Sequence, residues 1–104
     1  MFLIVGAGSI GKRHLGNLVA CGGRAYVVVD PRPDRLTEAA ERAQTVWQGL
    51  ERSERQQPLQ VQTVASVEDA CASGIQFDAA VIATPPAGHR EQMLKLVEAR
   101  VPVL

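Results

Sequence analysis

The residues best suited to chemistry fall in three short stretches. In the opening run MFLIVGAGSIGKRHLGNL, apolar residues lead straight into Gly6, Gly8 and Gly11. Glycine has no Cβ, so it takes backbone angles closed to other residues and lets a second group approach the main chain. At a strand-to-helix junction, Gly6 makes the tight turn, Gly8 admits a pyrophosphate and Gly11 lets the helix lie close to the sheet. Ser9, Ile10 and Gly11 then form a first helical turn whose free N–H groups and partial positive charge suit an anion. A glycine-rich turn with no ligand is spelled the same way, so the motif alone leaves both readings open.

The second stretch, AYVVVD, ends at Asp30. A carboxylate there accepts hydrogen bonds from a ribose 2′-hydroxyl and repels a 2′-phosphate, which favours NAD over NADP. Arg32 can hold such a phosphate or stack on adenine, which keeps NADP open. The plain alternative for Asp30 is an Asp-Pro turn. The third stretch holds Thr84, Pro85 and His89. A hydroxyl and a stiff turn at a strand end suit the nicotinamide-side ribose, although proline also simply begins helices. His89 reads equally well as a crevice residue or as an exposed helix start. His14 reads as a structural histidine at the helix–sheet seam. Lys12 and Arg13 serve either as phosphate-side charge or as solvated surface. No nucleophile–base pair, paired acids or metal-ligand cluster is present, so no catalytic or metal residue is assigned.

These stretches need elements to hold them. Phe2–Val5 and Ala25–Val29 are continuous apolar runs of the kind that form strands buried on both faces. Residues 78–83 make a similar run, and residues 61–64 a short strand. Helical spacing of apolar residues at 10, 15, 18 and 19 predicts a first helix, stopped by Gly22-Gly23. Pro33 opens a second helix over about 34–55, with Trp47 and Leu50 packing it onto the sheet. Residues 53–62, polar and containing Pro58, read as a loop. Ser66 and Asp69 suggest a capping box for a helix ending near Ala72, with Gly74 beyond it. A last helix over about 87–100 carries Met93, Leu94, Leu96 and Val97 as its apolar face, and residues 101–104 begin a fifth strand. Alternation of this kind predicts a doubly wound α/β fold with about five parallel strands and helices on both faces. Its ligand crevice lies at the carboxyl ends of the strands, where all three stretches converge.

Composition narrows the function classes. The chain has 104 residues, 46% hydrophobic and 21% charged, enough for one domain with a true core. Eleven basic residues balance eleven acidic ones and aromatics are 4%, which argues against a nucleic-acid surface. Cys21 and Cys71 lie far apart and form neither a zinc motif nor a redox pair. Cys21 reads as a small packed residue near the end of the first helix. The apolar runs are far shorter than the roughly 20 residues that span a bilayer. With no basic leader before the first strand, the default expectation is a soluble cytoplasmic protein without membrane partners.

Taken in order, GAGSIGKRHLGNL, VVVDP and AAVIATPPAGH resemble the N-terminal half of the glucose–fructose oxidoreductase/inositol dehydrogenase/rhizopine-catabolism (Gfo/Idh/MocA) family. The resemblance covers nearly the whole chain and is weakest over 46–62. It implies a Rossmann domain of an NAD(P)-dependent oxidoreductase acting on sugars or cyclitols. It also implies that Gly6, Gly8, Ser9, Ile10 and Gly11 cradle the pyrophosphate, that Asp30 binds the adenosine ribose, and that Thr84, Pro85 and His89 border the nicotinamide ribose. Family members continue into a Glu-Lys-Pro segment, whose lysine assists proton transfer, and then into an α+β substrate domain. The sequence stops at Leu104, where that segment would begin, and Lys95, on a surface helix, is no substitute. The expectation is a single dinucleotide-binding domain over 1–104, a truncated or detached half. It would bind nucleotide without turnover by itself and would self-associate through surface left uncovered.

Two other sheets place an acid after the second strand. A nucleotide-sensing module of the potassium-channel type also carries a glycine turn, but the ATPP-x-x-H stretch favours the dehydrogenase half. A methyltransferase-like sheet fits the third glycine and the Thr-Pro-Pro turn poorly.

Overall fold

Strands covered on both faces need apolar side chains at nearly every position. The runs FLIV, AYVVV and AAVI supply them. The computed structural model describes residues 1–55 and 57–104. The runs form β1 (Phe2–Val5), β2 (Ala25–Val29) and β4 (Ala79–Ile82), and β3 is Gln60–Val64. All pair in parallel, in the order β3-β2-β1-β4. Val5 lies opposite both Val29 and Ile82, so the central strands end level and deliver the segments that follow them to one edge.

Among the described residues, four α-helices complete the domain: α1 (Ser9–Ala20), α2 (Pro33–Gln48), α3 (Val67–Ala72) and α4 (His89–Glu98). The two-residue period of the strands splits the core into two layers. Leu3, Val5, Val27 and Val29 pack with Val67 and Ala70 of α3 and Leu96 of α4. Ile4, Tyr26 and Val28 pack with Leu15 and Val19 of α1 and Ala39 and Ala43 of α2. The chain moves from β1 outward to β3, then returns to place β4 on the other side of β1. That reversal makes the carboxyl end of β1 the natural ligand position in such a sheet.

Several expectations are corrected here. The fifth strand is reduced to one parallel bridge, Val103 to Ala80. Ala80 donates to Pro102 O at 2.7 Å and Leu104 donates to Ala80 O at 2.8 Å, but the next rung would need an N–H that Pro102 lacks. The second helix stops at Gln48 rather than near 55; Gly49 caps it and a separate 3-10 turn spans Arg52–Arg55. Leu50 bonds back to Trp47 O at 3.1 Å, which tightens that last turn. Trp47 packs against the α1/α2 layer as expected. Part of the expected loop at 53–62 is the start of β3, and Gln56 within it lies outside the described residues. The last helix begins with a 3-10 turn at Pro86–Gly88 and ends at Glu98. Of its four apolar residues only Leu96 is buried; Met93, Leu94 and Val97 are exposed, Val97 by 61%. Cys21 is exposed rather than packed.

Candidate functional site

The glycine turn is built differently at each of its three glycines. Gly6 ends β1 with φ +101°, a conformation that side chains resist. A Cβ on it would also lie 2.9 Å from Thr84 Cγ2 and 3.0 Å from the Ala83 carbonyl carbon. A Cβ on Gly11 would lie 1.8 Å from the Gly6 carbonyl oxygen, so α1 can start this close to β1 only with glycine there. Gly8 has no such constraint. Its φ is −73°, and the nearest atom to its imagined Cβ is Arg35 Nη1 at 3.9 Å. The space above Gly8 is open to a ligand and would be narrowed by any side chain.

Gly8 is also the N-cap of α1, with no side-chain cap and no acidic residue in the first turn. The helix thus presents Ser9, Ile10 and Gly11 at an N-terminus that no side chain of its own neutralises. Ser9 and Ile10 are exposed there, and Gly11 is buried against the sheet. These are the donor set and the open approach that a pyrophosphate requires.

Asp30 ends β2 beside this turn and is 4% exposed. Its Oδ2 accepts the Ala7 N–H at 2.9 Å, and its Oδ1 accepts the Arg32 N–H at 2.9 Å. Asp30 therefore holds the glycine turn against β2 and shapes the loop into α2. Two accepted bonds leave a carboxylate with capacity for more. The Arg32 guanidinium points elsewhere, donating to Asp34 at 2.8 Å on the exposed start of α2. That contact holds the Asp34 carboxyl below its usual range.

Arg35 is the residue that sequence reasoning missed. Its Nη1 lies 3.9 Å from Asp30 Oδ2 and equally far from the open position over Gly8. A signal existed, because a basic residue in the first turn of a helix opposes the helix dipole, and its presence there asks for a reason.

At the end of β4, Thr84 sets its methyl against Gly6. Its hydroxyl donates to Gln92 Oε1, and its carbonyl is met by His89 Nε2. A carbonyl only accepts, so His89 carries its proton on Nε2 in this contact. Pro85 is exposed at the rim and His89 is half-buried. A cavity of about 230 Å³ opens along this edge, lined by Val5, Val29, Pro31, Ser66, Thr84 and Gln92 among others. Lys95 Nζ stands at its side, paired with Glu68 of α3 and, at 3.3 Å, with Glu91. The Lys95 ammonium keeps the Glu68 carboxyl below its usual range.

The structure thus gathers Gly6, Gly8, Ser9, Ile10, Gly11, Asp30, Thr84, Pro85 and His89 on one edge. His14 is exposed on α1 rather than bonded at the seam. Lys12 bridges to Glu38 of α2 at 2.7 Å. Among the described residues, no group of three or more metal-ligating side chains forms, and no helix is long and apolar enough to cross a membrane.

No curated protein sequence matches the chain significantly. The WlbA dehydrogenase from Bordetella pertussis, solved with NADH and UDP-GlcNAcA, superposes with a TM-score of 0.74 at 26% identity, over 98% of this chain and 26% of its own. The scyllo-inositol dehydrogenase from Lactobacillus casei, solved with NAD(H) and scyllo-inositol, gives 0.65 at 19%, again over 98% and 26%. The lactate dehydrogenase from Cryptosporidium parvum gives 0.56 at 15%, over 94% and 30%. The last two speak to the fold alone. The chain spans about a quarter of the length of the first two structures. The model of the oxidoreductase family with an NAD-binding Rossmann fold matches residues 1–104. The chain belongs to the Gfo/Idh/MocA oxidoreductase family and is an NAD-binding Rossmann domain of it.

Proposed function

We propose that this domain holds NAD across the carboxyl edge of its sheet, as the cofactor half of an oxidoreductase acting on a sugar- or cyclitol-type alcohol. The carrying observation is the unequal packing of the three glycines: Gly6 and Gly11 are demanded by the fold, whereas Gly8 leaves open space over an uncapped helix start. The pyrophosphate lies over Gly8, Ser9 and Ile10, with the Arg35 guanidinium close to the same space. Asp30 takes the adenosine ribose with its remaining acceptor capacity and disfavours a 2′-phosphate, while Arg32 is engaged with Asp34. Thr84, Pro85 and His89 border the nicotinamide-side ribose. Bound there, the nicotinamide supplies the hydride acceptor or donor.

The chain's own part is binding and orientation. Hydride transfer also needs a substrate carbon held against the ring and shielded from water, a task separate from gripping the dinucleotide. We therefore expect nucleotide binding without dehydrogenase turnover by these 104 residues, in a cytoplasmic protein. Exposed apolar side chains at Ile10, Met93, Leu94, Val97 and Leu104 support self-association or docking of a further domain. The test is a titration with NADH and NADPH followed by nicotinamide fluorescence. Saturable binding with NADH preferred is expected; a folded chain that binds neither overturns the proposal.

A further inference from the structure

We infer that Gln92 is a positioning residue for the nicotinamide end of the site, fixing the Thr84 hydroxyl so that it only accepts hydrogen bonds from the dinucleotide. This rests on the placement of the dinucleotide proposed above. Nothing in the glycine motif or the Thr-Pro-Pro turn calls for Gln92, yet it grips the residue at the end of β4.

Thr84 is fixed at three points. Its methyl lies against the glycine turn, where even a Cβ on Gly6 would come within 2.9 Å. Its hydroxyl proton goes to Gln92 Oε1, and its carbonyl takes the Nε2 proton of His89. His89 and Gln92 are three residues apart on α4, so they sit on one face and reach the same strand end together. A free threonine hydroxyl rotates and either donates or accepts. Here the seated methyl fixes the side-chain rotamer and the one hydroxyl proton is directed to Gln92, so only lone pairs are left for the cavity that Thr84 and Gln92 both line. The matching ligand group is a donor: a hydroxyl of the nicotinamide-side ribose or the N–H of the carboxamide. Gln92 sets that polarity from one helical turn inside α4.

The test compares NADH with ADP, which carries the adenylate and pyrophosphate but neither the nicotinamide nor its ribose. Replacing the acceptor, Gln92→Leu, should weaken NADH about tenfold and leave ADP within about twofold. Gln92→Met, unbranched like glutamine, is the second removal variant should the leucine variant unfold. Gln92→Glu keeps an acceptor oxygen and should restore the ratio of NADH to ADP affinity. Thr84→Val keeps the methyl and removes the hydroxyl; in that background Gln92→Leu should change the ratio no further, because the two residues act as one unit. An unchanged ratio in both removal variants, failure of Gln92→Glu to restore it, or an equal loss in both Thr84 backgrounds overturns the inference. If the wild-type chain binds ADP and NADH while the ratio stays fixed, this inference alone falls. If it binds neither, the placement of the dinucleotide falls with it.

Discussion

Of the helices that start at the carboxyl edge of this sheet, α1 after β1 and α3 after β3 begin their dipoles in opposite ways. At α3, Ser66 accepts the Asp69 N–H at 3.1 Å, and Glu68 and Asp69 fill the first turn with negative charge. At α1, the N-cap is a glycine, no side chain caps the turn and no acid lies in it. The short helix satisfies its own N-terminus. The long helix, central in the sheet, leaves its N-terminus to be satisfied from outside. Negative charge and acceptors withheld by the sequence at α1 are therefore as informative as the glycines themselves.

The comparison breaks most completely at Gly11. A Cβ there would overlap the Gly6 carbonyl, so Gly11→Ala should cost about 3 kcal/mol or more and lower the urea midpoint sharply. A wild-type midpoint would show that α1 is not seated as described. Gly8→Ala sharpens the comparison. Its Cβ meets nothing nearer than 3.9 Å, so stability should move by no more than about 1 kcal/mol. NADH affinity should nevertheless fall about tenfold or more, roughly 1.4 kcal/mol, because the methyl occupies the approach. Unaltered affinity would mean that no ligand comes close to Gly8.

Ser66→Ala should produce the reverse pattern. Losing the cap of α3 should cost about 1 kcal/mol of stability, and NADH affinity, read at a temperature where both proteins are folded, should fall by much less than in Gly8→Ala although Ser66 lines the nearby cavity. A parallel loss of affinity would mean that both helix ends hold the ligand. The smallest difference should appear with pH. Burial pushes the Tyr26 phenol up to about 12, partly offset by the Arg24 guanidinium. A folded value above the unfolded value of about 10 means that stability is intact below pH 10 and is lost as pH rises toward 12. Tyr26 lies in the common core, so alkaline unfolding should shift the Gly8 and Ser66 variants alike.

The parts of the fold that were legible in the sequence are those where one face leaves no choice. Strands covered on both sides need unbroken apolar runs, and these marked β1, β2 and β4 to within a residue or two. Ser66 and Asp69 announced the α3 cap by type and spacing. The face of α4 was illegible because Met93, Leu94, Leu96 and Val97 share one arc of about 160°, and periodicity cannot choose which part of such a stripe the sheet covers. The sheet buries Leu96 and leaves the rest outside. Within the site, side chains at strand ends were legible, since the turn chemistry names them. Arg35 left only the faint signal of a base in a first helical turn, and Gln92 left none. Each lies within a helix and reaches the edge through tertiary packing, which local pattern does not specify.

The double duty proposed for Asp30, holding the glycine turn and reading the ribose, bears on how coenzyme preference in this domain can be altered. Exchanging an acid at the end of β2 for a small neutral residue is the direct way to admit a 2′-phosphate. Here the same carboxylate takes the Ala7 N–H while 4% exposed. Removing it strands a buried donor at a cost of about 1–3 kcal/mol. Engineering toward NADP must therefore restore an acceptor for Ala7 in the same step. Asp30→Ser or Asp30→Asn, each of which keeps an oxygen near that position, is a viable route where Asp30→Ala is not.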